Sequence, residues 1–184
     1  MTGDIQLPQP VIFQLQANMM NDPRPDPVSL ANDEARALAL GLLNATHAAL
    51  SYIDADTGTP GISRIAFGRS PDGTAMTLIS SLSPHFAGLR AHPDCAFMLG
   101  QPTEKGDPLT HPRLMLRARA HFVDPASDDR ARLRDHWLQG HPKAALYVDF
   151  ADFAFVRFAV TSALLNGGFA RAWRLTPADM ELSG

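Results

Sequence analysis

Apolar residues recur along this chain in two rhythms, and the switches between them mark its elements. In "NDEARALALGLLNA" the leucines Leu38, Leu42 and Leu43 share one face, the spacing of an amphipathic helix. Asn32 ahead of Asp33 and Glu34 supplies a start signal for it. A period of two then takes over. "RLMLRARAHFV" (113–123) sets Leu114, Leu116 and Ala118 against Arg113, Met115, Arg117 and Arg119, a long strand with one wet or ligand-facing side. Shorter strand-like runs are "AALSYI", "ISRIAFG", "TAMTLIS", "CAFMLG", "FAFVRFAVTSALL" and "ARAWRLT". Turn-rich "DADTGTPG" and "SPDG" separate the first three, and Asp72-Gly73 is a strong hairpin dipeptide.

Helical signals return twice. Ser83-Pro84 caps and opens a short helix that Pro93 confines to about Ala91, with Phe86 and Leu89 able to face the core. Ser127 precedes Asp128 and Asp129, Leu133 and Trp137 lie four apart, and Gly140 can close that helix. Pro142 opens a second short helix through "KAALYV". With no alternation of strand and helix, the order predicts a mainly β protein, an antiparallel β-barrel with flanking helices. Residues 1–28, with five prolines, read as an irregular arm, and 29–184 as a single domain.

Composition narrows the classes. With 184 residues and 45% apolar content, the chain can bury a core without metal or disulfide support. A formal net charge of -3 gives no basic footprint for nucleic acid, and no apolar run is long enough for a bilayer. The start "MTGDIQLPQP" has no secretory pattern, and Cys95 is the one cysteine, so a cytoplasmic location is expected. Cys95 lies in "CAFML" and reads as a buried thiol; no metal spacing, serine-hydrolase elbow or dinucleotide fingerprint is present. Arg117 and Arg119 read as a solvated strand face, and Asp149 and Asp152 as turn formers.

The candidate chemistry is concentrated in "LISSLSPHFAGLRAHPDCAFML". A strand end with Ser80 and Ser81, a helix start with Ser83, and His85 within the first turn together form a possible phosphate cradle. The alternative is a plain strand-to-helix connection whose serines cap backbone groups.

This segment, with "GTPGISRIAF" before it, resembles the flavin-binding core of the pyridoxamine 5'-phosphate oxidase-like split-barrel superfamily. "GDPLTHPRLMLRARAHFV", "HPKAALYVDFADFAFVRFAV" and "NGGFARAW" resemble its haem-utilisation branch, and together the likeness spans about residues 30–175. The resemblance implies a six-stranded antiparallel split barrel, a homodimer, and FMN at the subunit interface. Transferred by position, it assigns Ser80, Ser81, Ser83 and His85 to the flavin phosphate, with Arg64 or its neighbour Ser63 on the facing strand. Arg113 falls where a polar residue reaches the isoalloxazine ring, and Gly168, Phe169, Arg171 and Trp173 fall where the ring pocket is shaped.

Departures from the pattern matter. Pro84-His85 replaces a basic pair, Phe67-Gly68 replaces a strand-end lysine, and the oxidase's terminal arginine-histidine segment is missing, so vitamin B6 oxidation itself is not expected. The reading is an FMN-dependent oxidoreductase acting on a small molecule. The alternatives are a haem-binding protein of the same fold, though the last histidine is His141, and a non-catalytic dimer with an emptied pocket.

Overall fold

A computed structural model describes residues 26–183, so the arm expected over 1–28 lies outside the described residues except for its last three. Helix α1 (Asp33–Leu42) opens the domain, its Ala35 amide donating to the Asn32 side chain at 2.8 Å as the start signal requires. The strands are β1 (Ser29–Leu30), β2 (His47–Ile53), β3 (Pro60–Ala66), β4 (Gly68–Arg69), β5 (Ala75–Ser80), β6 (Asp94–Leu99), β7 (Arg113–Phe122), β8 (Phe153–Asn166) and β9 (Ala172–Leu175). Helix α2 (Pro84–Ala91) links β5 to β6, and α3 (Asp128–Gly140) with a 3-10 turn (Pro142–Leu146) links β7 to β8.

The protein is a mainly β split barrel. Three short strands extend it beyond six: β1 and β4 have two residues each and β9 has four. β1 adds a parallel edge to β9; every other pairing is antiparallel. β8 is the spine. One edge pairs with β7 from Val156 to Asn166, while the other takes β5 over its first half and β9 at its far end. A bulge between Arg117 and Ala118 leaves Thr161 without an opposite residue on β7.

The alternation predicted for β7 is the alternation observed. Leu114, Leu116, Ala118 and Ala120 join Leu50, Phe97, Phe158 and Leu165 in the barrel core. β5 instead is buried on both faces, which explains why its apolar residues do not alternate with exposed polar ones. Ala75 and Ile79 enter the barrel core, whereas Met76 and Leu78 pack with Leu133, Trp137 and Phe155 beneath α3. Among the described residues no helix is long and apolar enough to cross a membrane.

Tyr52 sets the seat of α2. A Cβ on Gly61 would stand 2.6 Å from the Tyr52 ring, and one on Gly88 would stand 2.5 Å from the Ile53 carbonyl and 2.6 Å from the same ring. Both positions must therefore be glycine for α2 to lie this close to β2.

Candidate functional site

The corner between β5 and α2 is closed by its own hydrogen bonds. Ser80 Oγ donates to Asp152 Oδ2 at 2.6 Å and accepts from the Leu82 amide at 3.1 Å. Ser83 is the α2 cap residue, but its hydroxyl donates backwards to the Ser80 carbonyl at 2.6 Å and makes no capping bond. The amides of Ser81, Ser83 and Phe86 donate to the carbonyls of Asp152, Ser80 and Ser83. Ser81 is exposed at the turn.

His85 is half-buried, edge-on to Tyr52 at 5.9 Å, and its buried Nδ1 has no partner among the described residues. Burial pushes its pKa below the usual histidine range, so the ring is neutral at pH 7. The Asp152 carboxylate is the feature that sequence reading missed. "DFADF" reads as a turn, and nothing local signals that Asp152 reaches a serine 72 positions away. A phosphate entering this corner would meet the Asp152 carboxylate and would compete with it for the Ser80 hydroxyl.

Arg64 and Ser63 separate. Ser63 is paired with Leu50, on the inner side of the sheet, whereas Arg64 is exposed on the outer side. The Thr77 hydroxyl donates to the Ala66 carbonyl at 2.6 Å, tying β5 to β3 close to Arg64. Arg64 forms no ion pair among the described residues.

The register places Arg64 in a row with Ala49, Met98, Met115, Leu164 and Arg174, one residue from each of six neighbouring strands. At about 4.8 Å per strand this row is roughly 24 Å wide. The adjacent row runs Ile62, Ser51, Ala96, Arg117, Ser162. All these side chains point away from the barrel core. Ile62 is 77% exposed and Met98 47%, so the open face has an apolar centre large enough to need explaining. Arg117, like Arg64, has no ion-pair partner among the described residues, while Arg119 binds Asp94 at 3.0 Å and Arg174 binds Asp26 at 2.6 Å. A pocket of about 400 Å³ opens on this side at the bulge, between Ser51, Ala96, Arg117 and Thr161.

The remaining expected site residues gather at the other end of β8. Trp173 is buried, and it packs onto Gly167, where a Cβ would come within 2.6 Å of the indole. Arg171 lies over the Trp173 ring at 5.4 Å and pairs with Glu34. Gly168 takes a positive φ of 118°, and Phe169 beside it is 89% exposed. Arg113 donates to the Leu109 carbonyl at 2.9 Å. Ser80 pairs with Phe153 and Arg113 with Asn166, the two ends of β8. At about 3.3 Å per residue these ends lie roughly 40 Å apart along the strand. Within one protomer the two groups do not meet.

A larger cleft, about 690 Å³, lies between the end of α1, the 67–73 hairpin and the end of α3. Its two histidines are already engaged, His136 with the Arg69 carbonyl at 2.9 Å and His141 with that of Thr46 at 3.1 Å. His141 also stacks on Trp137 at 3.8 Å.

Comparison with known proteins agrees with the fold. No family model matches the chain. Over 116 residues it is 31% identical to the "Non-canonical heme oxygenase HOZ, chloroplastic" of Arabidopsis thaliana, a match that covers 63% of this chain and about a third (34%) of that protein. One solved chain is 39% identical, with a TM-score of 0.71 over 82% of this chain and 98% of its own. A heme binding protein from Mycobacterium smegmatis superposes with a TM-score of 0.70 at 22% identity, covering 83% of this chain and 62% of that one. A Clostridium acetobutylicum protein of the pyridoxinephosphate oxidase family does so at 0.62 and 12%, covering 81% and 99%; these last two likenesses are of fold alone. These likenesses show the split-barrel fold, which this chain shares with haem-utilisation proteins and with a protein of the pyridoxinephosphate oxidase family.

Proposed function

We propose that this protein binds haem on the open sheet face, between two copies of the chain. The observation that carries the reading is the arrangement on that face: an apolar centre of Met98, Met115 and Leu164, with exposed Ile62 toward the β3 edge and Arg64 and Arg117 beside them, unpaired among the described residues. A porphyrin is a flat apolar ring bearing two carboxylates. Apolar side chains cover such a ring, and arginines hold its carboxylates through charge-assisted bonds. A second copy on the same face would bury the exposed apolar side chains. When bound, haem supplies iron redox chemistry; the chain supplies the apolar cover and the carboxylate-holding cations. The names of the relatives, a haem oxygenase and a heme binding protein, support the same reading. A reducing cytoplasm suits a chain with one thiol.

An FMN-dependent oxidoreductase is the second reading, favoured by unpaired Arg64 on β3, which Thr77 ties to β5, and by the exposed Ser81. It ranks lower because the Ser80 hydroxyl is held by Asp152.

Haemin titration followed at the Soret band tests the proposal. Arg64→Ala and Arg117→Ala should each weaken binding about tenfold, the size of one lost charge-assisted contact. Met115→Glu, a charge in the apolar centre, should abolish it. Unchanged affinity in Met115→Glu would remove haem from this face.

A further inference from the structure

We infer that Asp152 is a specificity residue that keeps phosphate-bearing cofactors out of the corner between β5 and α2. The inference deepens the haem reading, since it names what closes the split barrel's other expected ligand site. Asp152 is held there by the backbone as well as by its side chain. Its carbonyl accepts from the Ser81 amide at 2.7 Å, while its Oδ2 accepts from the Ser80 hydroxyl at 2.6 Å. The two bonds fix the carboxylate over the strand end, where an incoming phosphate would need both the hydroxyl and the space.

A phosphate dianion there would face a like charge, which is repulsive at any separation short enough for hydrogen bonding. It would also have to break the Ser80–Asp152 bond and leave the carboxylate without that donor. What remains to offset this is His85, whose Nδ1 has no partner among the described residues, the exposed Ser81, and Arg64 on the neighbouring strand β3. Ser83 Oγ is turned to the Ser80 carbonyl at 2.6 Å, and the Leu82 amide is taken by Ser80 Oγ at 3.1 Å. The residue following Ser83 is proline, so the first helical position has no amide to offer. Had the corner been built for phosphate, the Ser80 hydroxyl would stand free and a cation would occupy the place of Asp152.

The test is FMN binding, read by quenching of flavin fluorescence, to the full-length wild-type chain and to Asp152→Asn and Asp152→Ala. Asparagine keeps an oxygen for Ser80 and removes only the charge; alanine also frees the hydroxyl. FMN affinity should rise about tenfold or more in Asp152→Asn, and at least as much in Asp152→Ala. Riboflavin, which has the ring without the phosphate, should show no such rise. Inorganic phosphate should compete with FMN on the variants. Tight FMN binding by the wild type, equal FMN affinity in all three proteins, no detectable FMN binding by either variant, or an equal gain for riboflavin would each overturn the inference. Haemin titrated against the wild type decides the haem reading separately: its failure there would leave the FMN comparison standing.

Discussion

Gly88 illustrates how a single hydrogen can position an element. A methyl group there would fall 2.5 Å from the Ile53 carbonyl and 2.6 Å from the Tyr52 ring, so Gly88→Ala must push α2 off β2. Overpacking of this kind costs about 1–3 kcal/mol, and a fall of that size in the urea unfolding free energy is expected. Gly41 is the internal control: it lies within α1, and a Cβ there meets nothing within 4 Å. Gly41→Ala should stabilise by about 0.5–1 kcal/mol through helix propensity. Cys95 follows the same logic of surroundings. Burial, aided by Asp94, pushes its thiol pKa up to about 12, and its Sγ donates to the Ala118 carbonyl at 3.5 Å. Iodoacetamide at pH 8 should label the folded protein far more slowly than the urea-unfolded chain; equal rates would show that Cys95 is not held as described.

Among elements, Arg157 joins three that the sequence leaves separate. From β8 it donates to Asp129 in α3 at 3.1 Å, to Thr74 Oγ1 at 2.9 Å, and to Asp72 in the hairpin. Burial opposes ionisation of Asp72, but hydrogen bonds from Ser70, Arg157 and Thr74 outweigh it and hold its pKa well below the usual carboxylate range. A carboxyl depressed in the folded state adds stability above its ordinary pKa and loses it as pH falls below that value. The unfolding midpoint should therefore drop as pH is lowered from about 5 toward 3, and Asp72→Asn should flatten that slope. A slope unchanged in Asp72→Asn would assign the acid sensitivity elsewhere. These elements were readable because each has its own period and punctuation: Asn32 for α1, Asp72-Gly73 for the hairpin, Pro84 and Pro93 for α2. Arg157 and Asp152 were not readable in their roles. Their partners lie 85 and 72 positions away, and only the closed sheet brings them together. Ser83 and Ser127 stand at their helix starts, as residue type and place imply, yet both hydroxyls donate to a carbonyl three residues earlier, at Ser80 and Asp124, and neither makes a capping bond.

At the scale of the whole molecule, the open face is what remains after the barrel core is accounted for. The alternation in β7 implied one wet or ligand-facing side. That its Met115 and Arg117 fall in line with Met98, Leu164, Arg64 and Ile62 depends on strand register, which local sequence does not encode. If this face joins two copies, a charge at its centre should separate them, and Met98→Glu is expected to sediment as a monomer where the wild type sediments as a dimer. A wild type that is monomeric at all concentrations, with and without haemin, would contradict a shared site. The most direct measurement is a side-by-side absorption titration of the purified wild type with haemin and with FMN. The account expects a saturable Soret band with haemin and no saturable change with FMN. Saturable FMN uptake with no specific haemin band would contradict it.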